Sequence, residues 1–592
     1  MSYQVPRTEI HFLLEHLIDT QALLDLPGNE DLSLDLIHAV LDEGAKFIEQ
    51  EVVPLNREGD LQPAAIKEGE VLTSPGFKAT FASFAQAGWQ GLQHSADVGG
   101  QDLPKLVGAI FQENMNAGSA AFALSTLLSD SVIETFAEAA TPEQKDLYLP
   151  PMLEGRWTGT MNLTESQAGS DLSQVKCLAT PQVDGSYRLQ GEKIFISYGD
   201  HDLAENIIHL VLARTPEAPI GIKGLSLFIV PKFLVQAQAN YRAGARNDVH
   251  CASLEHKLGL HGSPTAVMRY GDNQGEVGAG AVGYLIGELN RGLEYMFITM
   301  NAARYAIAIQ ALGVADRALH SAHSYAAERK QGVDVARKLT APVAISHHPD
   351  VMRMLQTMRG LTEGTRAFSY QAAWLKDMAL KHPEPAQRQY YQTQYEFYVP
   401  IVKGFATEMV NEVTSLGLQV HGGMGYIEEA GVAQYLRDSR VFSIYEGTTA
   451  IQANDLIGRK LLRDEAKVAF AVLTEIELTI KTLKVQPEPV LHYIAERLEQ
   501  ACHAYRSSID ALLVFHQQKN SQAVYLGSVP FLMLSGVLLG GWSMAKAALV
   551  CAKATDEFSQ QKRQTATFYA AHILPRAVMH GSAITAGKQL FA

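Results

Sequence analysis

Cysteine is scarce: the 592 residues include four, Cys177, Cys251, Cys502 and Cys551, and no two stand in a CxxC pair. A disulfide frame and a cysteine zinc site are therefore excluded, and the thiols are expected to be free, mostly buried, and in a reducing, cytoplasmic setting. Basic charge is in deficit too. Lys and Arg number 49 against 63 Asp and Glu, a formal net charge of −14. That argues against nucleic acid as a general partner, because such binding needs clustered basic surface. The opening Met1–Ser2–Tyr3–Gln4–Val5–Pro6–Arg7 lacks the basic and then apolar run of a secretory leader. Long apolar runs are missing as well. The strongest, Pro530 to Met544, is shorter than the ~18–20 residues that span a bilayer, and Lys546 interrupts its continuation. A buried helix is the expected reading there, with peripheral membrane contact the lesser one. No GxGxxG follows a strand and opens a helix in a βαβ context, so a Rossmann nucleotide site finds no support.

What is present is room for several domains, three to five at roughly 100–200 residues each. A hydrophobic content of 47% with 19% charged residues suits a large soluble enzyme with a well-buried core. Residues 8–160 show helical spacing and few strand signals. From Leu32 through Ile48 apolar residues recur at intervals of three and four, with Pro54 as a stop. A second short helix is expected from Pro142 to Leu153, closed by Gly155. The texture changes near residue 158. Tyr187–Ile196 alternates, which predicts a half-buried hairpin turning at Gly191. Asn206–Ala213 and Gly224–Val230 are short β-branched or apolar runs. Helices return from Gly292, including a long one from Leu293 past Ala311. The final block is rich in Ala and Leu, with a polar connection near Lys484–Pro489. Segregated helices and strands read as α+β rather than alternating βαβ units. The expected division is a 1–34 extension, a helical 35–157, a β domain 158–285, a helical 286–465 and an additional helical 466–592.

Several short segments can carry chemistry. In Met161–Asp171 the backbone amides near Gly169 and the hydroxyls of Thr164 and Ser170 suit a ring edge and a pyrophosphate, although a plain polar loop also explains them. Gly191–Glu192–Lys193–Ile194–Phe195–Ile196–Ser197 pairs an aromatic with a small hydroxyl. Lys257 to Thr265, Asn301–Ala302–Ala303–Arg304 and Tyr325 to Gly332 follow in order. Then come Gln419–Val420–His421–Gly422–Gly423–Met424–Gly425–Tyr426, Arg437 to Arg440, and Ile444–Tyr445–Glu446–Gly447–Thr448–Thr449–Ala450–Ile451–Gln452. Glycines at 422 and 423 allow close backbone approach. Thr448 opens a helix whose free amides suit phosphate or ribityl oxygens.

In order and spacing these segments resemble the acyl-CoA dehydrogenases, flavoenzymes that desaturate acyl thioesters. The resemblance covers roughly residues 35–463. It implies an N-terminal helical domain, a central β-barrel-like domain and a C-terminal four-helix bundle, here with an additional helical domain after them. It also implies FAD as cofactor, no metal, and Glu446 as the base that removes the substrate α-proton. Some members carry the base just before the arginine that Arg304 matches; Ala303 stands there and cannot accept a proton. By the same resemblance Ser170, Asn301, Arg304, Tyr445 and Gly447 would contact the acyl-CoA. Leu163, Thr164, Ser170, Phe195, Ser197, Arg329, Gln419, Gly422, Gly423, Thr448 and Ala450 would hold FAD.

Four departures from the family pattern stand out. Ser166 and Gln167 replace a usual Pro-Gly, Phe195 a common Trp, Ser197 a common Thr, and His261 a usual Arg. His261 is therefore expected to be structural. Tyr3–Gln–Val–Pro–Arg and the extra C-terminal block look like a longer bacterial subgroup that includes methylthiopropionyl-CoA and long-chain enzymes. The expected substrate is a medium- to long-chain acyl-CoA, with methylthiopropionyl-CoA as the alternative. Electrons would pass to electron-transferring flavoprotein, and the chain would form a homodimer. An acyl-CoA oxidase would share Glu446 and FAD but reduce oxygen. A nitroalkane oxidase relative would carry Asp as base. A degenerate, non-catalytic binding homologue would not be expected to keep Glu446, Arg304 and Ser170.

Overall fold

The computed structural model describes residues 3–236, 242–334 and 341–590. Its main helices, in chain order, are α1 (Arg7–Phe12), α2 (Leu34–Phe47), α3 (Lys105–Ala139), α4 (Pro142–Leu153), α5 (Gly292–Glu328), α6 (Pro349–Lys381), α7 (Pro385–Val420), α8 (Thr449–Asp455), α9 (Lys467–Lys484), α10 (Pro489–Gln517), α11 (Ser528–Val550) and α12 (Pro575–Leu590). Two compact units emerge, neither continuous in sequence. One comprises Met1–Lys46, Lys105–Ala117 and Ile307–Ala592; the other comprises Phe47–Pro104 and Gly118–Ala306.

The second unit holds the strands. A small hairpin, β1 (Ala65–Lys67) and β2 (Glu70–Leu72), interrupts the stretch expected to be helical. Its turn residues Glu68 and Gly69 both have left-handed φ, 53° and 84°, the geometry of a two-residue hairpin. The remaining strands are β3 (Trp157–Asn162), β4 (Leu178–Pro181), β5 (Tyr187–Ser197), β6 (Asn206–Arg214), β7 (Leu225–Pro231), β8 (Phe233–Gln236), β9 (Arg242–Arg246), β10 (Val249–Leu254), β11 (Thr265–Tyr270) and β12 (Ala281–Ile286). The main sheet runs β10-β11-β5-β12-β7-β6-β3. β4 pairs along β5 and also touches β6 through one parallel pair, Leu178 with Arg214. Strands β4, β5, β12, β7 and β6 thereby close into a ring, the barrel-like feature expected of this region.

One local expectation is corrected. Tyr187–Ser197 is a single strand of 11 residues, not a hairpin. Gly191 lies inside it at φ 150°, where an added Cβ would come within 3.0 Å of Cys177. Residues before Gly191 pair with β4 and β12, and those from Gly191 onward pair with β11. The alternation breaks because the strand changes partners, not because it reverses.

In the other unit α6 and α7 pack along each other, α11 lies on both, and α10 and α12 pack against α11. The Gly-rich, apolar α11 is admitted by close contacts. A Cβ at Gly536 would meet the Phe405 ring at 2.2 Å, and one at Gly540 would meet the Tyr569 hydroxyl at 2.4 Å. By length and composition both α3 and α11 could cross a membrane. Their most apolar windows are 83% and 78% buried, as in core helices. The fully buried Arg366 ties three segments of this unit together. It donates to Glu113 at 2.7 Å and to Asp316 at 2.5 Å, while the Tyr3 hydroxyl donates to Asp316 at 2.6 Å.

Candidate active site

The predicted site residues fall on both units. On the strand-bearing unit the 163–171 loop leaves the end of β3. It is anchored by a lysine and a glutamate that sequence reading passed over as site residues. The Lys193 ammonium, with no exposed side-chain surface, donates to Leu163 O and to Glu165 Oε1, each at 2.9 Å. Glu165 also accepts from the backbone amides of Lys176 at 2.7 Å and Cys177 at 3.0 Å. Burial acts to raise the Glu165 pKa, but Lys193 and the two amides outweigh it and hold it below the usual carboxylate range. The Ile194 amide donates to Thr164 O at 2.9 Å. The Arg214 guanidinium fixes the loop's exit by donating to Ser173 O at 2.7 Å and Val175 O at 2.8 Å. Leu163 and Thr164 are thus drawn to the strand that carries Phe195 and Ser197. Ser170 lies exposed farther along the same loop.

Phe195 is unusual twice over. It takes a left-handed φ of 61° and the residue is 60% exposed. A non-glycine aromatic in that region is strained, and such strain gathers at functional positions. Ser197 is half-buried two residues on. On α5 the buried Arg304 donates to Asn301 Oδ1 at 3.3 Å and lies 5.8 Å from the centre of the Phe297 ring, so these two candidates do come together. His261 is structural as expected: its ring contacts Asp60 Oδ1 at 2.9 Å and Lys257 O at 3.0 Å.

Removing the cation from the Lys193–Glu165 pair tests this anchoring. Lys193→Met is expected to cost about 3–5 kcal/mol, because a carboxylate stays buried without its partner. Urea unfolding read alongside FAD content measures it. In the wild type the lowered Glu165 pKa stabilises the fold fully above the ordinary carboxylate range. That contribution fades as the pH falls through the depressed value. The variant should lose this part of the acid dependence.

On the other unit the loop after Val441 carries Tyr445, Glu446, Gly447 and Thr448. Glu446 and Gly447 have consecutive left-handed φ values of 53° and 89°. Gly447 is required there, since a Cβ would also meet the Gln452 amide nitrogen at 2.6 Å. The loop is gripped from inside by Lys403, which is fully buried on α7. Its ammonium donates to Phe442 O at 3.0 Å, Tyr445 O at 3.1 Å and Gly447 O at 2.6 Å. Gln452 donates to the carbonyls of Glu446 and Gly447, both at 3.3 Å. The Tyr445 hydroxyl donates to Gln310 on α5, and burial, with Glu446 beside it, pushes its pKa well up. Glu446 itself is half-buried. Thr448 caps α8 by accepting from the Ile451 amide, as its place before the helix predicts.

Gln419 is exposed near the end of α7, next to Gly422 (φ 59°) and Gly423. Arg329 is exposed just past α5 and donates to Gln331 at 3.2 Å. Ala450 is exposed in the first turn of α8.

Sequence reading missed the holders: Lys193, Glu165, Lys403, Gln452 and Gln310. A signal for Lys403 was available. It is the single charge within Phe397–Tyr–Val–Pro–Ile–Val–Lys–Gly–Phe–Ala406, a run too apolar to lie on a surface.

Each unit separately offers surface that suits part of a flavin nucleotide. An outward-facing aromatic with a hydroxyl beside it suits a planar ring. At Gly169, Gly422 and Gly423 an added Cβ would meet nothing within 4 Å, so backbone lies open to a phosphate or sugar.

Comparison with known proteins agrees with the geometry. Residues 37–156, 160–272 and 290–462 match the N-terminal, middle and C-terminal domain models of acyl-CoA dehydrogenase, and 472–592 match the acetyl-CoA dehydrogenase C-terminal-like domain. The 3-methylmercaptopropionyl-CoA dehydrogenase of Ruegeria pomeroyi is 46% identical over 590 residues, covering 99% of this chain and 98% of that one. The broad-specificity linear acyl-CoA dehydrogenase of Mycobacterium tuberculosis is 33% identical, covering 92% and 91%. The fold is that of the Bacillus anthracis acyl-CoA dehydrogenase complexed with FAD, with a TM-score of 0.74 at 20% identity, covering 95% of this chain and 90% of that one. The chain belongs to the acyl-CoA dehydrogenase family, a family of FAD-dependent oxidoreductases.

Proposed function

We propose that Glu446 is the base of an α,β-dehydrogenation that converts an acyl-CoA to its trans-2-enoyl-CoA. One observation carries the assignment: Glu446 is held in a strained left-handed conformation by a buried lysine that grips the carbonyls on either side of it. The φ alone does not single Glu446 out, since Glu68 takes the same 53° in an exposed hairpin turn; what does is the grip of Lys403 and Gln452 on the carbonyls around it.

The α-hydrogen of a thioester is too weakly acidic for a free carboxylate at neutral pH, so a positioned base and a stabilised enolate oxygen are both needed. When bound, FAD supplies the two-electron acceptor for the hydride that leaves the β-carbon. Glu446 accepts the α-proton, and its own backbone N–H serves the thioester carbonyl. Lys403 and Gln452 keep that loop from moving as charge shifts. With the cofactor bound, Phe195 would cover the flavin ring and exclude water, while Ser197, Thr164 and Ser170 would offer hydroxyls to the cofactor and the substrate's phosphopantetheine.

Of the two substrate classes weighed from sequence, we favour a short thioether acyl-CoA of the 3-methylmercaptopropionyl kind. The 46% identity along nearly the whole of both chains supports it. A linear acyl-CoA is the second reading, supported by the 33% identical relative. We read electron-transferring flavoprotein as the acceptor. We also read the chain as a homodimer, in which the exposed Met424, Tyr426 and Ile427 beside Gly422–Gly423 would meet a second copy.

Anaerobic bleaching of the flavin by a panel of acyl-CoAs tests the substrate. The expected order puts 3-methylmercaptopropionyl-CoA and its isostere of equal length ahead of octanoyl- and palmitoyl-CoA by about tenfold or more in kcat/KM, the lower end of the roughly 10–200-fold that one methylene is worth in a hydrophobic pocket. A long-chain optimum would reverse the preference. Peroxide formation without an added acceptor would make the enzyme an oxidase.

A further inference from the structure

We propose that the N-terminal segment carries a site for a divalent transition-metal ion, built from His11, Glu15 and His38 with Asp42 as a fourth donor. Helix α1 and its π-helical continuation Leu13–Leu17 present His11 and Glu15 four residues apart, and α2 presents His38 and Asp42 at the same spacing. That spacing sets each imidazole and carboxylate on one helix face. The two pairs meet. The rings of His11 and His38 stack with centroids 3.9 Å apart, and the ligand atoms of His11, Glu15 and His38 all lie within 4.8 Å of one another.

The cluster is poorly explained as a hydrogen-bonded structural feature. His38 Nε2 is 3.8 Å from Glu15 Oε1, and His11 Nε2 is 3.8 Å from Asp42 Oδ1, both too long for hydrogen bonds. His38 Nε2 and Asp42 Oδ1 are buried atoms with no hydrogen-bond partner, although the carboxylate has Arg7 Nε at 3.4 Å. His16 Nε2 approaches the other side of Glu15 at 3.8 Å. An unpartnered buried nitrogen within a cluster of ligand atoms is what a bound ion would satisfy, and Asp42, held by Arg7 outside the mutual 4.8 Å of the other three, would swing in to join it.

The donor set selects the ion. Two imidazoles with one or two carboxylates suit zinc, cobalt, nickel or copper. Calcium and magnesium take oxygen ligands instead. Bonds of about 2.0–2.2 Å draw the donors closer together than they now stand. The stacked rings, 16° from parallel, direct their nitrogen lone pairs along separate planes, so one imidazole must turn out of the stack to share an ion with the other, and rotation of the Glu15 side chain, which is 41% exposed, supplies the carboxylate. The bound ion clips α1 to α2, and none of its ligands belongs to the candidate active site.

The test uses the full FAD-loaded enzyme, stripped with chelator and dialysed. Calorimetric titration with zinc chloride is expected to give one tight equivalent per chain and a raised melting temperature. Copper(II) substituted at the site should show two-nitrogen hyperfine structure in its electron paramagnetic resonance spectrum. His38→Gln and Glu15→Gln should each weaken zinc binding by about tenfold or more, with FAD content and turnover unchanged. The chain has 20 histidines, so uptake alone decides nothing. If His38→Gln binds as tightly as wild type with the same copper spectrum, or if wild type takes up no equivalent tighter than millimolar, the proposal is overturned. Should His38→Gln fold poorly, Asp42→Asn provides the same comparison.

Discussion

Glu446→Gln is expected to keep its yellow colour and its acyl-CoA affinity while flavin bleaching slows by about 10²–10⁴-fold, the range a positioned general base contributes. The amide keeps the size and much of the hydrogen bonding of the carboxyl but cannot accept the α-proton. Single-turnover stopped-flow under anaerobic conditions reads the step without interference from the electron acceptor. A second variant separates catalysis from architecture. At φ 53° a glutamate costs roughly 1–2 kcal/mol that a glycine does not. Glu446→Gly should therefore resist denaturant at least as well as wild type while bleaching no faster than the Gln variant. Gain of stability with loss of rate marks a residue kept for chemistry. A Gln variant that bleaches near the wild-type rate would move the base elsewhere and leave the strain at Glu446 unexplained.

The sequence made the fold legible wherever one period dominated. Leu34–Phe47, Pro142–Leu153 with its Thr141–Gln144 capping box, and the apolar strands β6 and β7 all follow from local pattern. Where two demands met in one segment, the pattern misled. Gly191 looked like a turn because a glycine interrupts an alternating run, yet here its missing Cβ serves a strand passing Cys177. The site divided along similar lines. Residues that would face a ligand stand beside glycines and hydroxyls and were visible as motifs. Residues that hold them in position, Lys193 and Lys403, act through contacts 28 and 39–44 residues away along the chain, and spacing cannot supply these. Glu165 was read as part of a loop motif, whereas its carboxylate turns inward to Lys193 and two amides. Only the folded backbone shows that an ordinary Thr-Glu pair is an anchor.

Lys403→Met should have an effect nearly as large as that expected of Glu446→Gln, by a different route. The methionine fills the same volume within an apolar helix face, so packing changes little. What disappears is one ammonium whose three donors meet the carbonyls of Phe442, Tyr445 and Gly447. Phe442 O and Tyr445 O lose this donor while Gly447 O keeps Gln452; each buried acceptor left unpaired costs about 1–3 kcal/mol, and rearrangement of the loop is the cheapest way to recover that cost. The expected outcome is a protein roughly 3 kcal/mol or more less stable, with Tyr445–Gly447 relaxed out of its double left-handed turn. A displacement of about 1 Å at a reacting group can cost about 10²-fold in rate. Turnover should accordingly fall by that order even at temperatures where the variant is fully folded, and mainly in kcat. FAD content should change less, since Leu163 and Thr164 are held by the separate Lys193–Glu165 anchor and by the Ile194 amide. A merely structural lysine would give the opposite pattern, with lower stability but normal kcat in the folded fraction. Measuring the bleaching rate and the denaturation midpoint on the same preparation distinguishes the two, and a folded Lys403→Met enzyme with wild-type kcat would show that the loop carrying Glu446 needs no such grip.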